Sequence, residues 1–166
     1  MSSDTDLEFR TVRGYQLIKR QEGHLTPAME DYLEMVYRIC LQHGYTRVGI
    51  ISEELHVKPS SASKMISRLV DLGYLAYDRH ESILLTKRGR ESGAYLLDRH
   101  NTVEQFLKLL GCEDLLEETE LIEHSLSPAT VARLNALLSF FKSDSCIQKK
   151  YEEFKKKATG KTSFVI

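Results

Sequence analysis

VGIISEELHVKPSSASKMISRLVDLGYLAYDRHESILLT, residues 48–86, decides the fold. It opens as a short helix from Val48 to His56, breaks at Val57-Lys58-Pro59, and resumes as a second helix from about Ser60 to Leu72, closed by Gly73. Ile50, Ile51, Leu55, Val57, Ala62, Met65, Ile66, Leu69 and Val70 suit a small three-helix core shared with a preceding helix. Tyr74 to Tyr77 and Ser82 to Thr86 are β-rich runs flanking the polar turn Asp78-Arg79-His80-Glu81, which predicts a hairpin. Helix, turn, helix and hairpin in that order make a winged helix. The order is far more specific than any one of its parts.

A winged helix reads duplex DNA with its second helix. Ser60, Ser61, Ser63, Lys64, Ser67 and Arg68 are therefore the candidate contacts in the major groove, with Arg79 at the wing tip near a phosphate or minor groove. The bland alternative is an unrelated helical hairpin with serine as an ordinary cap, and the strands that follow weigh against it.

Upstream, Thr26-Pro27 is a helix start, with Thr as N-cap and Pro at the first helical position. Ala28, Met29, Tyr32, Leu33, Met35, Val36, Ile39 and Cys40 then form a broad apolar arc, which Gly44 ends. Asp31 and Glu34 border that arc, three residues apart. Residues 1–24 are polar and mixed, with four cationic side chains (Arg10, Arg13, Lys19, Arg20), and read as a loosely held extension or a basic arm.

Downstream, Thr86 caps a long helix expected to run to Leu110 and end at Gly111. Gly93 costs about 1 kcal/mol relative to Ala in a helix, so its presence predicts a close packing contact. An acidic helix follows from about Glu113 to His124, then a helix starting at Ser127-Pro128. Its apolar stripe is Ala129, Val131, Leu134, Leu137, Leu138 and Phe141. A last helix runs from about Asp144 to Ala158, ending in Lys155, Lys156 and Lys157, and residues 159–166 form a tail. The stripes after residue 95 exceed what one helical layer can hide, which predicts a homodimer. The expected organisation is an extension at 1–24, a winged helix at 25–95, a helical metal-binding and dimerisation domain at 96–158, and the tail. The fold class is mainly α.

Composition is that of a globular protein: 42% hydrophobic and 28% charged residues over 166 positions. The absence of a membrane-spanning run or a signal-peptide pattern predicts a cytoplasmic protein with no membrane partner. Cys40, Cys112 and Cys146 are odd in number and widely spaced, so neither a disulfide framework nor a zinc knuckle is expected. The net charge of −1 hides an asymmetry. Residues 46–90 carry eight Lys/Arg against five Asp/Glu, whereas residues 101–130 carry one against seven. One surface suits phosphate and the other suits a cation.

The acidic part contains Glu120-Leu121-Ile122-Glu123-His124. On a helix, positions 120, 123 and 124 fall within roughly 100° of one another. Two carboxylates and an imidazole on one face suit a divalent metal, although a solvated acidic face is the commoner outcome. Alone, His100 is equally ordinary as a half-buried polar residue.

Together these stretches resemble the diphtheria-toxin-repressor family of metal-dependent transcription regulators, in its manganese-transport-regulator branch. The resemblance runs from about Leu25 to Phe141. It is carried by Met29-Glu30-Asp31-Tyr32-Leu33-Glu34, by His56 to Met65, by Arg99-His100 with Glu104-Gln105-Phe106-Leu107, and by Glu120 to Ser127. It implies a winged helix joined to a helical dimerisation domain, with metal bound between them. The implied ligands are Asp31, Glu34, His100, Glu120, Glu123 and His124, enough for two Mn²⁺ ions per subunit. Where the iron-responsive branch has Met and Cys, this chain has Asp31 and Glu120. It also ends before that branch's SH3-like domain would begin, and Cys112 is expected to be a small core residue. The implied function is repression of manganese-uptake genes with Mn²⁺ as corepressor and an operator DNA as partner, without a small-molecule substrate. The alternatives are an iron-responsive relative, a dimetal enzyme, and a winged-helix sensor of an organic ligand.

Overall fold

The computed structural model describes residues 25–159. The expected basic extension at 1–24, and the tail beyond 159, lie outside the described residues. Among the described residues the order is α1 (Pro27–His43), α2 (Val48–Glu54), α3 (Pro59–Asp71), β1 (Leu75–Tyr77), β2 (Ile83–Leu85), α4 (Lys87–Leu110), α5 (Leu115–Glu123), α6 (Pro128–Ser143) and α7 (Ser145–Thr159). The chain divides into two compact units, one ending at Leu96 and the other beginning at Leu97.

In the first unit, local chemistry sets the helix boundaries. Thr26 is extended, and its Oγ1 accepts the Met29 N–H at 3.3 Å, while Pro27 occupies the first turn. Gly44 takes a left-handed conformation (φ +79°) and donates its N–H to the Cys40 carbonyl, which stops α1. The α2 helix ends two residues earlier than the spacing predicts, because His56 turns left-handed (φ +52°) and the Val57 N–H bonds the Ser52 carbonyl. That turn reverses the chain into α3, which begins with Pro59.

The core of this unit is Leu33, Val36, Ile51, Ala62, Ile66, Leu69, Leu75 and Ile83, all at most 2% exposed. Each large aliphatic side chain buried in this way contributes about 1.5–3 kcal/mol. The β1–β2 pair is antiparallel, with Leu75 opposite Leu85 and Tyr77 opposite Ile83. Thr46 adds a bridge that the sequence did not announce: it exchanges both backbone hydrogen bonds with Ile83, at 3.1 and 2.8 Å. At the tip, Asp78 Oδ1 accepts the N–H groups of His80 (2.8 Å) and Ser82 (2.7 Å), which fixes the turn that Arg79 occupies.

Thr86 caps α4 as expected, with its Oγ1 accepting the Gly89 N–H at 3.0 Å and donating to the Gly73 carbonyl at 2.7 Å. Arg88 lies over the Tyr74 ring, 4.2 Å from its centre, and donates to the Leu72 carbonyl at 2.8 Å. The end of α3 is thus tied to the start of α4. Gly93 makes the close contact expected of it, since a Cβ there would lie 2.6 Å from the Tyr37 Cβ.

In the second unit, Asp114 caps α5 by accepting the Glu117 N–H, so the helix starts at Leu115 rather than Glu113. Ser127 caps α6, accepting the Thr130 N–H at 3.2 Å. The buried apolar residues are Val103, Leu107, Val131 and Leu138. Leu137, expected in the α6 stripe, is exposed, as are Leu116, Leu121, Phe140 and Phe154. Thr102 Oγ1 donates to the Asp98 carbonyl (2.7 Å) and meets Asn135 Oδ1 (3.0 Å), joining α4 to α6. Lys155 Nζ donates to the Leu109 carbonyl at 3.2 Å, joining α7 to the end of α4. Cys112 is not in the core: it is half-buried after Gly111, with its thiol pushed up by partial desolvation and then by Glu118.

Candidate metal centre

The acidic helix α5 places its candidate ligands at its C-terminal end. Glu123 is its last residue, His124 is the C-cap, and Glu120 sits one turn earlier. Across from them on α4, His100 is buried, with its Nδ1 3.4 Å from the Glu123 carboxylate and 3.7 Å from Glu120 Oε1. His124 Nε2 lies 3.9 Å from Glu123 Oε1. The second unit therefore brings together four residues singled out in the sequence: His100, Glu120, Glu123 and His124. Glu120 is the exposed member, with about half its side chain accessible.

Glu123 is only 1% exposed, and its Oε2 is buried without a hydrogen-bond partner. Such an atom costs several kcal/mol unless a charge compensates it. Arg99 Nε lies 3.8 Å from that oxygen and His100 Nδ1 3.4 Å, neither as a hydrogen bond to it. An oxygen of this kind, beside two imidazoles and a second carboxylate, fits a hard divalent cation.

Arg99 precedes His100 in the stretch that carries the resemblance, and its sequence position alone gives it no role. It is 3% exposed, and its Nη2 lies 3.1 Å from His124 Nδ1. A charged residue directly preceding a candidate ligand was the only available signal.

In the first unit, Asp31 and Glu34 share one side of α1. Glu34 is buried, and its Oε1 accepts from Arg38 Nε (2.9 Å) and Nη2 (2.6 Å). Asp31 is half-buried. The neighbouring Tyr32 phenol is pushed above its usual range by burial, and further by the Asp31 charge.

The nucleic-acid candidates all lie on the accessible side of the first unit. Ser60, Ser61, Ser63, Lys64, Ser67 and Arg68 are exposed along α3, while Ala62, Ile66 and Leu69 fill the core from its other face. Arg79 is exposed at the hairpin tip. The hydroxyls and cations can therefore meet a duplex without disturbing the apolar contacts.

The family described as iron dependent repressor, N-terminal DNA binding domain, matches residues 24–83. Its companion, the metal binding and dimerisation domain, matches residues 86–152. The HTH-type transcriptional regulator MntR of Bacillus subtilis (strain 168) is 37% identical over 134 residues, covering 80% of this chain and 94% of that protein. The MntR of Geobacillus kaustophilus is 41% identical over 121 residues, covering 72% and 86%. Among solved structures, the metal-dependent transcriptional regulator MtsR matches with a TM-score of 0.64 at 31% identity, covering 70% of this chain and 55% of that one. The manganese regulator SloR matches with a TM-score of 0.62 at 29% identity, with the same coverage. The chain thus spans nearly all of its curated relatives, but only a little over half of these two solved chains.

Proposed function

The chain belongs to the iron dependent repressor family, and from that membership we propose that it is a manganese-responsive repressor, a homodimer that binds operator DNA when Mn²⁺ is bound. It is a DNA-binding regulator rather than an enzyme. The single observation that carries the metal reading is the buried Glu123 Oε2, without a hydrogen-bond partner beside His100.

The ligands would be Asp31, Glu34, His100, Glu120, Glu123 and His124. Four carboxylates balance two dications, so two ions per subunit is the proposed stoichiometry. The donors are oxygen and imidazole without sulfur. Mn²⁺ stands at the weak end of the divalent affinity series, so a site selects it through hard donors rather than raw affinity. That donor set favours manganese over the iron named in the family description. It agrees with relatives named as MntR and with the manganese regulator SloR.

Bound metal would supply the positive charge that these carboxylates need. The chain's own residues do the rest. Asp31 and Glu34 belong to the helix that packs on the DNA-binding core, and the other four belong to the dimerisation domain. Ligation by both sets couples the units and biases the spacing of two α3 helices, which must enter major grooves one helical turn or a multiple apart. Exposed Leu116, Leu121, Phe140 and Phe154 supply apolar surface for a second copy. No helix among the described residues is long and apolar enough to cross a membrane, and a cytoplasmic location is proposed with the function.

The test is binding to a manganese-transporter promoter, titrated with Mn²⁺, Fe²⁺ and Zn²⁺ at fixed salt. Tightening by Mn²⁺ that a chelator reverses supports the proposal. Metal-indifferent binding moves the effector to an organic ligand.

A further inference from the structure

We propose that Arg99 is an internal cation that competes with metal for the lone pair of His124. The proposal rests on the metal-centre reading above. It is carried by one geometry: Arg99 Nη2 lies 3.1 Å from His124 Nδ1 in a buried setting.

Arginine has donors only and keeps its charge at every relevant pH. In this contact it must donate, and Nδ1 must accept. A neutral imidazole has one lone-pair nitrogen, so the ring proton sits on Nε2. A metal that takes Nδ1 displaces the guanidinium directly. A metal held at Nε2 would require the Nδ1–H tautomer, reached by losing the Nε2 proton to solvent and gaining one at Nδ1, and Nδ1 would then no longer accept from Arg99. Coordination at either nitrogen ends the Arg99–His124 hydrogen bond.

The same guanidinium has its Nε 3.8 Å from Glu123 Oε2, within ion-pair range but without a hydrogen bond. Arg99 therefore attends both Glu123 and His124 among the proposed ligands. With its side chain only 4% exposed, solvent screens it little. Metal binding becomes an exchange of one cation for another. Arg99 holds the ligands in place beforehand and sets the affinity below what the donors alone would give. An outer-shell support of the ordinary kind has the opposite sign, because its loss weakens metal binding.

The experiment uses the full chain, with Mn²⁺ binding followed by electron paramagnetic resonance of the free ion and by calorimetry at fixed pH and salt. Arg99→Gln keeps a hydrogen-bonding side chain but removes the charge, and Arg99→Lys keeps the charge but loses the planar fork. Histidine ¹⁵N shifts of the metal-free wild type report the His124 tautomer directly. The expected results are the Nε2–H tautomer in the wild type, roughly tenfold tighter Mn²⁺ binding in Arg99→Gln, about 1.4 kcal/mol, and an intermediate value in Arg99→Lys. A Nδ1–H tautomer in the metal-free wild type overturns the proposal. So does equal or weaker binding by Arg99→Gln with an intact metal-free melt. If Arg99→Gln does not fold, the tautomer and Arg99→Lys decide. A wild type that binds no Mn²⁺ refutes the metal-centre reading itself, which is distinct from either result.

Discussion

His100 Nδ1 sits 3.4 Å from both carboxylate oxygens of Glu123, and both side chains are buried. The pair joins α4 to the end of α5, so the metal reading converges on Glu123 more than on any other residue. Glu123→Ala removes the carboxylate and leaves His100 and Arg99 in place. It is expected to abolish metal-dependent DNA binding while the dimer stays folded. Gel shifts with and without Mn²⁺, alongside sedimentation, check this. Metal stimulation that survives the substitution counts against the site.

Asp31→Met replaces a hard oxygen donor with a soft thioether. The expected outcome is a relaxed metal preference, with Fe²⁺ activating DNA binding more nearly as well as Mn²⁺. Identical Mn²⁺ and Fe²⁺ titrations before and after the change would remove Asp31 from the ligand set.

Lys64 is exposed on α3 and is expected to meet a phosphate rather than a base. Lys64→Ala should weaken binding by similar factors on specific and unrelated duplexes, and lower the slope of log affinity against log salt by about 1. An altered sequence preference with an unchanged slope would reassign Lys64 to base recognition.

Gly93→Ala should destabilise the protein. Alanine gains about 1 kcal/mol of helix propensity over glycine. Its Cβ, however, would lie 2.6 Å from the Tyr37 Cβ and 2.7 Å from Cγ, atoms near the backbone with little freedom to move. Overpacking of this kind costs about 1–3 kcal/mol, so the net change is a loss. A thermal melt at or above the wild-type midpoint would show that α1 and α4 can separate at no cost.

What was legible in the sequence was local. Thr26-Pro27, Gly44, Gly73, Thr86 and Ser127-Pro128 carry their own capping or turn chemistry, and each sits at the boundary it predicted. What was hidden depends on partners distant in sequence or on side-chain direction. Thr46 pairs with Ile83 through a single bridge that leaves no periodicity behind. His56 ends α2 by a left-handed turn that no glycine flags. Arg99 and His100 are adjacent in sequence, about 100° apart around α4, yet both reach the end of α5: Arg99 meets His124 and lies 3.8 Å from Glu123, and His100 meets Glu123. Leu137 and Phe140 are left exposed, which one chain's pattern announces only as surplus apolar area.

Asp78 makes the wing acid-sensitive. The backbone N–H of Ser82 holds its carboxyl below the usual carboxylate range, with smaller help from the His80 N–H, against a partial desolvation that acts the other way. Because the folded value lies below the unfolded one, the contribution to hairpin stability is fully present above the ordinary Asp range near pH 4. It is lost as pH falls through the depressed folded value. Protonation gives up the charge-assisted part of both hydrogen bonds, and the turn that presents Arg79 loosens. Asp78→Asn keeps an acceptor but does not titrate, so it should start with a looser tip and show a flatter acid limb. Amide exchange at Ser82, followed from pH 6 down to pH 3 in both proteins after correction for intrinsic rates, reads the difference. Protection that falls equally in the two would show that the acid response of the hairpin comes from elsewhere than Asp78.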